Sequence, residues 1–165
     1  RKGYDVLFKA FQRLQSQNLE VELHIAGGGT DSVKCRQMLR DMKLERCVKT
    51  HGELDKNGVR DLLYLSDTLV LATRGETQGL VLLEALSTGI PVVTTEAIPE
   101  SVRPPIGCTF VPIDDVEALA EAMRNVMIFP ADDGSKLSES ARQIASPETI
   151  ARQIEKLFSE ILASK

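Results

Sequence analysis

SDTLVLATRGETQGLVLLEALSTGIPVVTTE, residues Ser66 to Glu96, reads as strand, loop, helix and strand in turn. Leu69, Val70 and Leu71 form an apolar run inside Asp67 to Thr73 that is too short for a helix and suits a buried strand. Arg74 to Gln78 is polar and turns the chain. Gly79 opens a helix in which Leu82, Leu83, Ala85 and Leu86 recur at helical spacing, and Gly89 with Pro91 ends it. Pro91 to Thr95 is a second buried strand. Two strands joined through a helix are expected to run parallel with a right-handed crossover.

Ligands of a parallel sheet sit beyond the carboxyl ends of its strands, where helix N-termini present free N–H groups. Gly79 leaves that backbone bare for close approach. Glu76 precedes the helix, and Glu84 lies about 7–8 Å along its axis from Gly79 at 1.5 Å per residue. An anion on the N–H groups of Gly79, Leu80 and Val81 therefore falls between two carboxylates. Carboxylates are poor phosphate ligands and good acceptors for sugar hydroxyls. Phosphate with sugars on either side describes a nucleotide diphospho-sugar.

The run Glu76-Thr77-Gln78-Gly79-Leu80-Val81-Leu82-Leu83-Glu84, followed by Ala85 and Gly89-Ile90-Pro91-Val92-Val93, resembles the E-x7-E signature of retaining glycosyltransferases. The resemblance is to family 4, in the C-terminal, donor-binding half of the GT-B fold. It implies an α/β, Rossmann-like parallel sheet with helices on both faces. It also implies that Glu84 holds the ribose hydroxyls, that the amides after Gly79 hold the diphosphate, and that Glu76 faces the transferred sugar. A Phe usually stands before the Gly in this family, and here the residue is Gln78.

The resemblance reaches most of the chain. Lys2-Gly3-Tyr4-Asp5 is similar to the family's K-G-x-D, whose Lys binds the diphosphate as a point charge. Gly27-Gly28-Gly29 matches its Gly-rich turn, with Gly28 as the candidate donor contact, and Asp114 to Ala122 matches its late D-x-x-x-L-A helix. Leu54, after the third strand, is a candidate wall for the nucleobase. The family places a strand and a G-R pair ahead of the Lys, and Arg1 is too close to Lys2 to be that Arg. The first strand and an N-terminal acceptor domain are thus expected outside residues 1–165.

By this resemblance the donor is a UDP-, GDP- or ADP-sugar and no separate cofactor is needed. The acceptor, a sugar or a lipid, is bound by the other domain, and a lipid acceptor would bring the full enzyme to a membrane surface. No Asp-x-Asp metal motif occurs. Charge on the leaving diphosphate then falls to Lys2, the Arg expected upstream and the helix N-terminus.

Composition sets outer bounds. A chain of 165 residues can bury one real core. Hydrophobic residues make up 42% without any long apolar run, which argues against a membrane span or a signal peptide. A net charge of −4 gives no basic face for nucleic acid. Cys35, Cys47 and Cys108 are odd in number and unclustered, as in reduced cytoplasmic proteins. With only two His, a structural zinc site is not expected.

Strand and helix alternate along the rest of the chain, as in α/β proteins. Tyr4 to Gln15 is an amphipathic helix and Val21 to Ala26 a strand. A helix follows from Asp31 to about Leu44, then a strand from Val48 to His51 and a helix from Asn57 to Leu65. Cys108 to Val111 is read as an edge strand. Asp114-Asp115-Val116-Glu117 opens a helix to about Met127 with capping-box character, and Lys136 to Ala145 and Pro147 to Ala163 are closing helices. His24 and His51 are read as structural, and Asp114-Asp115 and Asp132-Asp133 as caps or loop residues away from the cleft. Three rivals share parts of this pattern: a GT-B-like sugar-nucleotide epimerase, a Rossmann dinucleotide domain and a non-catalytic nucleotide-binding module. Against the dinucleotide domain, Gly27-Gly28-Gly29 has no third Gly at the G-x-G-x-x-G spacing.

Overall fold

The computed structural model describes residues 2–17, 19–129, 134–146 and 148–149. The expected closing helix from Pro147 and the Asp132-Asp133 pair lie outside them. Within the described residues the order is α1 (Tyr4–Gln15), β1 (Leu23–Ile25), α2 (Val33–Asp41), β2 (Val48–Thr50), α3 (Lys56–Tyr64) and β3 (Leu69–Leu71). There follow α4 (Leu80–Ser87), β4 (Val92–Thr95), a 3-10 turn at Glu100–Val102, β5 (Cys108–Val111), α5 (Val116–Ile128) and α6 (Gly134–Ala145).

Every strand pairing is parallel, as the crossover logic requires. Alternation along the strands assigns their two faces. Val93 of β4 and Val111 of β5 face a core built from α1, α2 and α5. Val92, Leu69 and Leu71 face the other core, with α3, α4 and α6. Helices therefore cover both faces, and β4, buried at all four positions, is the centre of its sheet. Cys108–Val111 forms an edge strand, as expected, with β3 at the other edge of this ladder among the described residues.

Helix boundaries follow local capping. Ser32, not Asp31, starts α2, because its side chain accepts the Cys35 N–H at 3.2 Å. Lys43 turns to φ 57° just beyond Asp41 and the helix stops there, short of Leu44. Asp55 and Asp115 cap α3 and α5 in the same way, accepting from Gly58 and Ala118.

The strands form two separate sheets, β1–β2 and β3–β4–β5, with no ladder between β1 and β3 among the described residues. The N-terminus of α1 sits where the two meet. Gly3 caps α1 at φ 68°, and a Cβ placed on it would lie 1.7 Å from the Ala72 carbonyl oxygen, just past β3. Tyr4, one residue on, reaches the Gly27 turn past β1, its hydroxyl 3.6 Å from where a Gly27 Cβ would be. The carboxyl ends of β1 and β3 are thereby brought to one edge. Gly3→Ala must both adopt a left-handed backbone and displace the Ala72 carbonyl, so it should lower stability by about 2 kcal/mol or more. Urea unfolding of the variant reads this directly, and a loss below about 0.5 kcal/mol would mean that the close approach is not needed.

Candidate functional site

The loop from β3 to α4 is fixed from behind by threonines. Thr73, Thr94 and Thr95 are buried, and each finds an acceptor. Thr95 donates to the Thr73 carbonyl at 2.5 Å, Thr94 to the Leu71 carbonyl at 3.1 Å and Thr73 to the Gly75 carbonyl at 3.0 Å. The Gly75 N–H returns a hydrogen bond to the Thr73 hydroxyl. These bonds hold the last residues of β3 against β4 and send Arg74, Gly75 and Glu76 out over the carboxyl edge.

Glu76 is the most enclosed charge there, its side chain 19% exposed. One oxygen accepts the Thr77 N–H at 2.8 Å, and the other lies 3.7 Å from the Lys2 ammonium. The Thr77 hydrogen bond, then the Lys2 charge and the Gln78 and Gly79 N–H groups, hold the carboxyl below the usual glutamate range, against burial that pushes it up, so the Gly79 N–H faces Glu76. Glu76 is therefore a carboxylate at neutral pH, fit to accept hydrogen bonds or to face positive charge and ill fit to deliver a proton.

Gly79, at φ 63°, ends the loop and caps α4. The first α4 amide with a backbone acceptor is that of Leu82, which donates to the Gly79 carbonyl at 2.9 Å. Among the described residues no backbone carbonyl takes the N–H groups of Gly79, Leu80 and Val81, which stand at the helix's positive end. Gly79 is buried, Leu80 is 60% exposed and Val81 is half-buried. Glu84, one turn further on, is exposed.

On the β1 side, the Gly27 N–H donates to the Gly52 carbonyl at 2.7 Å and Thr30 closes the turn onto the Gly27 carbonyl. Gly28 is exposed at the tip, and a Cβ there would meet nothing within 4 Å. Packing within the chain does not require glycine at Gly28, and the space above it is open to a ligand. Leu54 lies past β2, half-buried, with its Cβ 3.3 Å from where a Gly58 Cβ would be.

One group escaped the sequence reading. Arg74 donates from both terminal nitrogens to Asp5, at 3.0 and 2.7 Å, and from Nε to Asp114 at 2.6 Å. Asp114, read from sequence as remote from the cleft, instead pairs with a residue two positions from Glu76. Only its neighbour Asp115 acts as a helix cap. Partners 69 and 40 residues apart leave no spacing signal that could have revealed them. His24 and His51 do not join this site. They stack on each other across β1 and β2, with a 3.0 Å contact between ring nitrogens and Glu22 beyond His24. No cluster of three or more metal-ligating side chains occurs among the described residues.

A doubly wound parallel α/β domain with an open helix N-terminus, a lysine and two carboxylates at its carboxyl edge is the class that binds phosphorylated ligands there. The chain belongs to the family described as "Glycosyl transferases group 1", whose model matches residues 1–128. It is 27% identical over 165 residues to the GPI3 subunit of phosphatidylinositol N-acetylglucosaminyltransferase from Saccharomyces cerevisiae, covering 97% of this chain and 36% of that protein. In fold it is similar to a sucrose-phosphate synthase from Thermosynechococcus elongatus, with TM-score 0.75 at 23% identity, over 100% of this chain and 43% of the other. Anabaena HepE, solved in complex with UDP and glucose, gives TM-score 0.74 at 23% identity over 96% of this chain and 45% of the other. The chain thus spans little more than a third of the curated relative's length.

Proposed function

We propose that these residues form the nucleotide-sugar donor domain of a retaining glycosyltransferase. The observation that carries this reading is the pairing of Lys2 with Glu76 at 3.7 Å beside the first amides of α4, which no backbone carbonyl among the described residues takes. The diphosphate would take the Lys2 ammonium and the N–H groups of Gly79, Leu80 and Val81. Glu84 would accept from the ribose hydroxyls, and Glu76 would face the transferred sugar as a carboxylate. Gly28 leaves room for the donor and Leu54 would wall the base. HepE, which shares this fold and was solved with UDP, supports a nucleotide donor.

The chemistry follows from charge. As the bond between sugar and diphosphate breaks, negative charge gathers on the leaving phosphate and positive charge at the anomeric carbon. Lys2 and the α4 amides stabilise the first, and the Glu76 carboxylate stabilises the second. The spacing of Glu76 and Glu84 argues for transfer over an epimerase-like route. No metal or organic cofactor enters this scheme.

Further parts of the enzyme complete the proposal. A strand preceding Lys2 would run between β1 and β3, because α1 begins between their carboxyl ends, and an N-terminal domain would bind the acceptor. Cytoplasmic action fits the three free thiols, of which Cys108 is pushed up to about 12 by burial. No helix among the described residues is long and apolar enough to cross a membrane.

Thermal unfolding with UDP, GDP, ADP and NAD tests the reading. One nucleoside diphosphate should raise the unfolding temperature by several degrees at saturating excess, and NAD should not. A response to NAD alone, or to none of the four, would sink it.

A further inference from the structure

We propose that Arg74 is the positioning residue of the donor edge, setting Lys2 against Glu76 by gripping Asp5 of α1 and Asp114 of the β5–α5 turn together. The inference rests on the donor-site reading above and adds to it the part that holds its geometry.

Lys2 and Glu76 belong to segments that meet only in the fold. Lys2 is 59% exposed, and its 3.7 Å contact is at the long end for an ion pair. A single long ion pair with one exposed partner is too weak to hold two segments in place, whereas a bidentate arginine within a charge network, though also at the surface, keeps its geometry. The apolar core and the Gly3–Ala72 approach place the body of α1, and polar contacts at the rim set its Lys2 end against the Glu76 loop. Arg74 supplies them. Two of its nitrogens grip both Asp5 oxygens, a fork-on-carboxylate arrangement that fixes orientation as well as distance. Its third donor, Nε, takes Asp114 at 2.6 Å.

Each partner is itself held. Asp5 sits in the first turn of α1, three residues from Lys2, behind the tight Gly3–Ala72 approach. Arg74 is two residues from Glu76 and follows Thr73, which Thr95 pins to β4. Asp114 adopts φ 62°, a backbone that Asp tolerates better than most residues, next to the α5 cap Asp115. Arg74 thus joins, at a single planar group, the rims of three segments whose bodies share the apolar core. The guanidinium holds the Asp5 carboxyl below its usual range, so the grip persists through neutral pH.

A surface ion network that serves stability alone would look similar, so the test must read Glu76 itself. The variants are Arg74→Gln, Arg74→Lys, which keeps the charge but loses the fork, and Asp114→Asn, which removes one arm at constant size. Arg13→Gln is the comparison, because it removes the exposed Arg13–Glu117 ion pair from the same helix. The carboxyl carbon of Glu76 is followed by NMR across a pH titration, and UDP, GDP and ADP binding by calorimetry. In Arg74→Gln the Glu76 midpoint should rise part of the way, the Thr77 N–H bond remaining, both from the lost cation and as Lys2 drifts away, and affinity for the bound nucleotide should fall about tenfold. Arg74→Lys and Asp114→Asn should give smaller changes in the same direction, and Arg13→Gln should give neither. A Glu76 midpoint unmoved in folded Arg74→Gln, or in Asp114→Asn if the former does not fold, overturns the proposal, as does unchanged affinity for the nucleotide. If the parent protein binds none of the three nucleotides, the donor reading fails, while the titration still decides whether Arg74 sets the Lys2–Glu76 contact.

Discussion

Glu76→Gln is expected to lower turnover in the complete enzyme by about a hundredfold while leaving nucleoside diphosphate affinity within about fivefold of the parent. Glutamine keeps the size and one acceptor oxygen, so the Thr77 N–H can retain its bond. What is lost is the negative charge that the proposed mechanism sets against the anomeric centre. The ground-state consequence should run the other way. Without ligand, Glu76 is the partner of Lys2. Removing its charge frees the ammonium for phosphate, so any change in diphosphate affinity should be toward tighter binding. Affinity and turnover measured on one variant separate these effects. Weaker diphosphate binding with turnover of the bound complex intact would assign Glu76 to the nucleotide instead.

Glu84→Ala should show the opposite pattern. Glu84 stands exposed on α4, so its loss should not disturb folding. In the complex it would accept hydrogen bonds from the ribose, and losing bonds to a charged acceptor costs about 1.5–3 kcal/mol. Nucleoside diphosphate affinity should fall roughly tenfold to a hundredfold, with a smaller effect on turnover at saturation. Unchanged affinity would mean that Glu84 does not touch the nucleotide.

The elements of this fold were legible because apolar runs and Gly or Pro punctuation marked them. Tyr4 to Gln15 was readable to the residue, since its apolar stripe spans the whole helix. Strands read less well at their ends. Asp67 to Thr73 contracts to Leu69–Leu71 because a strand extends only as far as its ladder, and the ladder depends on partners that sequence does not display. The same limit governed the site. Gly79 and the α4 amides could be placed from local spacing alone. The bridge from Arg74 to Asp5 and Asp114 could not, because it exists only once the fold has brought three loops together. Asp114 looked like its neighbour Asp115 in sequence, and a difference in backbone conformation gives the two residues different work.

The division of the strands between two ladders also bears on how this chain opens. Sheet hydrogen bonds make strands exchange and unfold together, and among the described residues no ladder carries that coupling from β1 to β3, although one apolar core of α1, α2 and α5 packs on strands of both sheets. Leu23–Ile25 with Val48–Thr50 forms one ladder, and β3, β4 and β5 form another whose middle strand is fully buried. Lys2 and the Gly27 turn lie at the boundary between them, so a donor molecule on the proposed site would touch both. Its binding would then add a ligand-made tie between two ladders that are otherwise joined through the apolar core.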